Sequence, residues 1–241
     1  MRLDTSRRSN SPEIMDDFNL EGEILRDALN KIAYINKLLG GNKVTMDGLK
    51  WLLKTKLQHQ PANSEITILD VGCGNGDMLR TLARYAEKQQ LNFKLQGIDA
   101  NAFTIRHAQE LSTEYPNISY SCANIFEEIK QPRQYDVILC TLTLHHFEDD
   151  DIITLMKGFK TQSALGIVIN DLHRSKLAHR LFAALCVVFR LNHMSREDGL
   201  ISILRGFKKE ELERFSRQLN FNTYILNWRW AFRYQWIIPS T

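Results

Sequence analysis

The chain has 241 residues, of which 44 % are hydrophobic and 24 % charged, and a formal net charge of +3. This balance fits one soluble globular domain with an appendage, and it gives no electrostatic reason to expect a nucleic-acid partner. The longest apolar run, Leu181 to Phe189, lies between Arg180 and Arg190 and falls far short of the ~20 residues that span a bilayer.

Cys73, Cys122, Cys140 and Cys186 are scattered, without a Cys-x-x-Cys pair. They read as reduced thiols of a cytoplasmic protein, and neither disulfides nor a metal site are expected. Residues 1–12 are basic and polar, with Arg2, Arg7, Arg8 and Ser9-Asn10-Ser11-Pro12, and are expected as a disordered tail; no apolar segment makes them a signal peptide. Residues 13–60 read as a helical cap. Leu25, Leu29, Ile32, Ile35, Leu38 and Leu39 recur at helical spacing, Gly40-Gly41 ends that helix, and a second follows around Met46–Leu57. Pro61-Ala62-Asn63-Ser64 breaks the pattern.

Residues 61–241 then alternate. Strands are predicted at Ile66–Val71, Phe93–Ile98, Ile118–Cys122, Tyr135–Thr141 and Gly166–Asn170. Helices are predicted at Asp77–Gln89, Ala102–Glu114 (stopped by Pro116) and Asp150–Lys160. Such alternation means parallel βαβ units in a doubly wound α/β sheet. A helical insert occupies 175–206, with a helix over Ser175–Arg190 and a polar connection over Asn192–Ile203. Another helix covers Lys208–Leu219, and Phe221–Ile238 reads as an antiparallel hairpin turning near Arg229–Ala231. Trp228, Trp230, Phe232, Tyr234 and Trp236 occupy alternate positions. On a strand they share one face, as core packing first and as a substrate wall for one or two of them.

The first strand ends in Asp70-Val71-Gly72-Cys73-Gly74-Asn75-Gly76 and runs into a helix. Glycines allow the sharp turn and the close approach of a ligand to the backbone, and the helix N-terminus beyond presents free N–H groups. A dinucleotide loop, G-x-G-x-x-G, would place its third glycine at position 77, where Asp77 stands. An acid there opposes a pyrophosphate and suits a ligand carrying an ammonium and a sulfonium. The second strand leads into Gly97-Ile98-Asp99-Ala100. A carboxylate at that point can accept from both hydroxyls of a ribose; the structural alternative is a helix N-cap.

With these motifs the chain resembles the class I S-adenosylmethionine-dependent methyltransferases over roughly Ile66–Asn170. Ile68–Gly76, Gly97–Ala100, Cys122-Ala123-Asn124-Ile125 and Tyr135–Leu142 carry the match. The resemblance implies a Rossmann-like methyltransferase fold with a mostly parallel seven-stranded sheet, an antiparallel C-terminal hairpin and added N-terminal helices. It implies S-adenosylmethionine as cofactor and S-adenosylhomocysteine as product. Asp70, Gly72, Cys73, Gly74 and Gly76 would face the methionine part and Asp99 the ribose. Ala100, Asn124 and Ile125 would border adenine, and Cys140 and Thr141 the transferable methyl. Asn124 stands where the family usually has Asp, and its carbonyl oxygen can still accept.

The Asn/Asp-Pro-Pro-Tyr motif of base methylation is absent after the fourth strand, where Thr143-Leu144-His145-His146-Phe147 stands. This is similar to the small-molecule methyltransferases of quinone biosynthesis. His145 and His146 are candidate bases for a phenol or enol, or they cap and pack. His173, in Asn170-Asp171-Leu172-His173-Arg174 after the fifth strand, is the favoured base candidate. The apolar cap and insert, with Phe182, Phe189 and Leu191, suggest a small hydrophobic substrate, with plain helix packing as the alternative. Ile14-Met15-Asp16-Asp17, Ile35–Asn42, Leu204-Arg205-Gly206-Phe207 and Trp228–Arg233 also look like bacterial methyltransferases found with type III polyketide synthases. That implies O-methylation of a phenolic or pyrone product in secondary metabolism. C- or N-methylation, a silent cofactor-binding domain and a nucleotide-dependent oxidoreductase are the competing readings.

Overall fold

A computed structural model describes residues 3–59 and 64–240. Seven strands form one sheet: β1 (Ile66–Val71), β2 (Phe93–Asp99), β3 (Ile118–Cys122), β4 (Tyr135–Thr141), β5 (Ser163–Leu172), β6 (Ile225–Arg229) and β7 (Arg233–Pro239). Their order is β3-β2-β1-β4-β5-β7-β6. The first five pair in parallel, and β7 is antiparallel to both β5 and β6. The doubly wound, mostly parallel sheet with an antiparallel C-terminal hairpin is therefore as expected.

Side-chain alternation along β1 builds two cores. Ile66 and Ile68 face one side, with Leu49, Leu53, Leu79 and Leu82. Leu69 and Val71 face the other, with Leu155, Phe159, Leu212 and Phe215. The first side is covered by α2 (Gly41–His59) and α3 (Asp77–Gln89), the second by α6 (Asp149–Gln162) and α9 (Lys209–Gln218). Helices on both faces explain why β1 carries apolar residues on both of its sides, interrupted by Thr67 and Asp70. The remaining helices are α1 (Glu23–Leu38), α4 (Ala102–Leu111), α5 (Ile125–Glu128), α7 (Lys176–Val188) and α8 (His193–Arg205). The strand order reverses between β1 and β4, which sets a ligand crevice at their carboxyl ends.

Four local expectations change. Residues 3–12 are a pinned strap instead of a disordered tail. Arg8 Nε donates to Arg205 O at 2.9 Å, and Arg8 Nη2 donates to His145 O and Phe147 O at 2.9 and 2.8 Å. Ser9 N–H donates to Leu204 O at 3.0 Å, and Thr5 O accepts from Arg174 Nε at 3.1 Å. The polar stretch after Leu191 is helix α8, N-capped by Asn192, whose side chain accepts from Ser195 N–H at 2.8 Å. It lacks apolar periodicity because it is held by polar contacts: Asp198 accepts from Ile14 and Met15 N–H at 2.7 and 3.0 Å. The aromatic stripe is interrupted at residues 230–232, where Ala231 and Phe232 take positive φ. Tyr234 and Trp236 are core, whereas Trp228 and Trp230 are exposed. Finally, β5 extends past both ends of the predicted strand, to Ser163 and Leu172. The break at residues 60–63, with the boundary between cap and domain, lies outside the described residues.

Candidate active site

One cavity of about 680 Å³ opens above the carboxyl ends of β1, β2, β4 and β5, within the range of small-ligand pockets. Its donor half is the glycine-rich turn. Gly72, Gly74 and Gly76 all take positive φ (66°, 52° and 77°), a region that only glycine enters without strain. Gly72 and Gly74 border the cavity with Asp70, Cys73, Asn75 and Asp77. Gly76 does not. It caps α3, and a Cβ there would run into Tyr120 Oη, so its role is to let the turn close.

Asp99 ends β2 with its carboxylate on this turn. Oδ2 accepts from Gly74 N–H at 3.2 Å and Oδ1 from Asn101 N–H at 3.0 Å. Asp99 is not the helix cap; Asn101 caps α4 by accepting from Thr104 N–H at 2.8 Å. Burial pushes the Asp99 carboxyl up, against the pull of those N–H groups. Asp70 is pushed up to about 8, by burial first and by the Asp99 charge second. Three carboxyl groups, Asp70, Asp77 and Asp99, thus face one pocket. A pyrophosphate would be repelled there. A ligand bearing cations relieves the repulsion, so the donor set fits S-adenosylmethionine, with its ammonium and sulfonium.

Ala100, Asn124, Ile125 and Thr141 also line the cavity. Asn124 caps α5, its Oδ1 accepting from Phe126 N–H at 2.8 Å. Thr141 Oγ1 meets Thr45 Oγ1 at 2.9 Å. Cys140 is fully buried in the core beneath and lies off the cavity lining; strand alternation turns it away from the site that Thr141 borders. Burial raises both the Cys73 and Cys140 thiols, which are free, so neither is an activated nucleophile.

The other half of the cavity holds the histidines. His145 and His146 sit on a 3₁₀ turn, Leu144–His146, after β4. The His145 ring is buried, with Nδ1 at 2.7 Å from Asp171 Oδ1 at the end of β5. Facing a carboxylate, Nδ1 carries the proton and Nε2 is left as an acceptor. That Nε2 has no hydrogen-bond partner and lies 3.8 Å from Glu13 Oε1, which is also unpartnered. Burial pushes Asp171 up, but His145, the Leu172 N–H and His146 together outweigh this and hold it below the usual carboxylate range.

His146 Nδ1 faces Asp16 Oδ1 at 2.8 Å, and the two histidine rings lie 4.4 Å apart. Asp16 also pairs with Arg205 at 2.6 Å. Burial opposes its ionisation, yet the bonds from His146, Glu13 N–H and Arg205 hold it well below the carboxylate range. Glu13, buried and accepting from Ser202 Oγ at 2.8 Å, is instead pushed up to about 7 by burial, against His146, Ser202 and Arg205. Glu13, His145 and His146 bring one ligand atom each within 4.8 Å of one another. The Arg205 guanidinium lies beside them, 3.8 Å from Glu13.

His173 lines the cavity but is arranged differently. Trp228 Nε1–H donates to its Nδ1 at 3.1 Å, so the neutral ring carries its proton on Nε2. Burial, then Arg174, lowers its pKa. The ring lies against Phe232 and Tyr234. Three further residues were not singled out from sequence as site residues: Glu13, Arg205 and Arg233. Glu13 and Arg233 line the cavity, and Arg233 keeps Nε and Nη1 unpaired in a buried setting.

Residues 68–166 match the family model of the methyltransferase domain. Over those residues, fewer than half of the chain, it is similar to the class I S-adenosylmethionine-dependent methyltransferases. Among curated relatives, the ubiquinone biosynthesis O-methyltransferase of Rickettsia bellii is 29 % identical over 136 residues, 55 % of this chain and 53 % of that one. The protein of the same name from Albidiferax ferrireducens is 33 % identical over 158 residues, 64 % of this chain and 59 % of that one. The chain thus spans little more than half the length of the curated relatives it matches. Among solved structures, the plantazolicin methyltransferase BamL, in complex with a triazolic desmethylPZN analog and SAH, shares the fold. Its TM-score is 0.65 at 14 % identity, covering 88 % of this chain and 90 % of that one. The magnesium protoporphyrin IX methyltransferase of Synechocystis PCC 6803, with bound SAM, aligns at a TM-score of 0.53 and 11 % identity over 93 % and 88 % of the two chains.

Proposed function

We propose that the chain transfers the methyl group of S-adenosylmethionine to a hydroxyl oxygen of a small, apolar acceptor of phenolic, enolic or pyrone type. The observation that carries this reading is the continuity of the cavity. The acidic glycine-rich turn and the Asp171-backed His145 border the same space. When bound, the sulfonium supplies a methyl carbon already activated for displacement.

The chain's own groups do the rest. The turn and Asp99 would hold the donor, with the Asp99 carboxylate accepting from its ribose hydroxyls. Leu181, Phe182, Leu185 and Phe232 line the acceptor half and keep water from the reacting oxygen. His145 takes the hydroxyl proton at Nε2, and Asp171 stabilises the imidazolium that results. Asp16 and Arg205 hold His146 beside it. His173, with its Nδ1 occupied by Trp228, packs against Phe232 of the cavity wall. Relatives named for O-methylation in ubiquinone biosynthesis support a hydroxylated ring as acceptor. A setting inside the cell, in secondary metabolism, belongs to this proposal.

The test is incubation with a trideuteromethyl donor and a panel of alkylated phenols, pyrones and quinols, with products read by mass spectrometry and NMR. An O-methyl product is expected. A methyl on carbon or nitrogen would replace the oxygen reading. Donor binding without product from any acceptor would favour the silent domain.

A further inference from the structure

Helix α7 is apolar on the side where a surface helix is ordinarily polar. Its outward positions Leu177, Arg180, Leu181, Ala184, Val187 and Val188 follow three- and four-residue spacing and are all exposed. Val187 and Val188 are 73 % and 76 % exposed. Its inner side, with Ala178, Phe182 and Leu185, meets the cavity. The same outer face continues onto α1, where exposed Tyr34 adjoins Phe189 with ring centroids 6.1 Å apart and Leu38 is also exposed. Trp230, on the turn between β6 and β7, is 72 % exposed. Trp230, Leu181 and Ile32 are exposed and also line the cavity, so this face surrounds its mouth.

Charge is the second observation. Segments 28–46, 172–191 and 220–240, which form this face, contain no Asp or Glu. Lys37, Lys176, Arg180 and Arg190 are exposed on them. Asp4, in the strap, is near enough to Lys176 to feel its charge.

We infer that this face docks on an anionic lipid bilayer, with α7 and Trp230 seated among the headgroups. An apolar helix face fringed by cations, with tryptophan beside it, matches the interfacial layer of such a bilayer. None of the described helices is long and apolar enough to cross a membrane, so the association is interfacial. A second copy of the chain fits less well: two-fold pairing would lay the cations of one copy against the same cations of the other. Docking does not depend on the proposed reaction. Its consequence does, and rests on that reading: an acceptor dissolved in the bilayer would enter the cavity at Leu181 and Trp230 without passing through water.

Flotation of the full chain with phosphatidylcholine vesicles, with and without phosphatidylglycerol, tests the inference. The unaltered chain is expected to float with the phosphatidylglycerol vesicles and to dissociate at high salt. The pairs V187D/V188D and R180E/R190E are each expected to cut binding by about tenfold or more, with S-adenosylmethionine affinity unchanged as evidence of an intact fold. Three results would overturn it: no flotation of the unaltered chain, flotation of both variants at its level, or a dimer in ultracentrifugation that V187D/V188D dissolves. Failure of the methyltransferase reading would show separately, as absence of S-adenosylmethionine binding.

Discussion

Asp70 and Asp99 border one pocket, and the Asp99 charge adds to burial in raising Asp70, which makes them the most informative pair of residues. On the proposed reading Asp99 accepts from two ribose hydroxyls, so Asp99→Ala is expected to lower donor affinity by roughly a hundredfold, about 3 kcal/mol for two bonds to a charged group. Calorimetric titration reads this, and an unchanged circular dichroism melt shows that the fold survives. Asp70, pushed up to about 8, is largely protonated near neutral pH. Binding of a cationic donor favours its ionised form, so donor binding at about pH 7 should release a proton. Titration in two buffers of different ionisation enthalpy measures it, and Asp70→Asn should abolish it. On the acceptor side, His145→Ala and Asp171→Asn are expected to lower kcat by roughly 10²- to 10⁴-fold while donor affinity holds. His173→Gln should cost much less, because its Nδ1 is already occupied by Trp228. Equal losses at His145 and His173 would contradict this division of roles.

At the scale of elements, the strap of residues 3–12 and the 3₁₀ turn Ile14–Asp16 that follows it close the histidine end. Arg8 alone ties the strap to the carbonyls of His145, Phe147 and Arg205. Arg8→Ala should cost about 2–4 kcal/mol, the range for a buried, hydrogen-bonded charge, read as a lower Tm, with kcat falling more than donor affinity. This element was not legible in the sequence. A basic, serine-rich dozen looks disordered when its partners, Asp149 and the carbonyls of residues 145, 147 and 205, lie far along the chain. The same holds for α8, whose hydrogen bonds to the strap replace the apolar spacing that reveals a helix. By contrast, the turn 70–76 and Asp99 were legible because their geometry is local. The glycines need positive φ and the acid stands at a strand end, so neighbours in sequence are neighbours in space. Cys140 and Gly76 show the limit of motif reading. Both belong to the signature, yet alternation turns one into the core and the other serves the closure of the turn.

For the whole molecule, the buried acids fix the sign of its pH dependence. Asp70 and Glu13 have folded values near 8 and 7, above their ordinary 3.8 and 4.5. Their contribution to stability is full below those ordinary values and is lost as pH rises through the folded ones. Asp16 and Asp171 act oppositely, since both are held low; their contribution is present above about 4 and lost as pH falls. Denaturant unfolding should therefore show the ligand-free chain losing stability between about pH 5 and 8, and Asp70→Asn should flatten that loss. The parallel doubly wound sheet and its two cores follow from the alternation of apolar strands and amphipathic helices, which is why the central fold was readable. The acceptor was not, because its wall is assembled from α1, α7 and the β6–β7 turn. The most direct measurement is transfer of a trideuteromethyl group from labelled S-adenosylmethionine to an apolar phenol, with the unaltered chain and His145→Ala compared side by side. The expected result is an O-methyl product from the first, and from the second a hundredfold or greater loss of rate at unchanged donor affinity. Product formation at the same rate by both, or a label found on carbon or nitrogen, would contradict it.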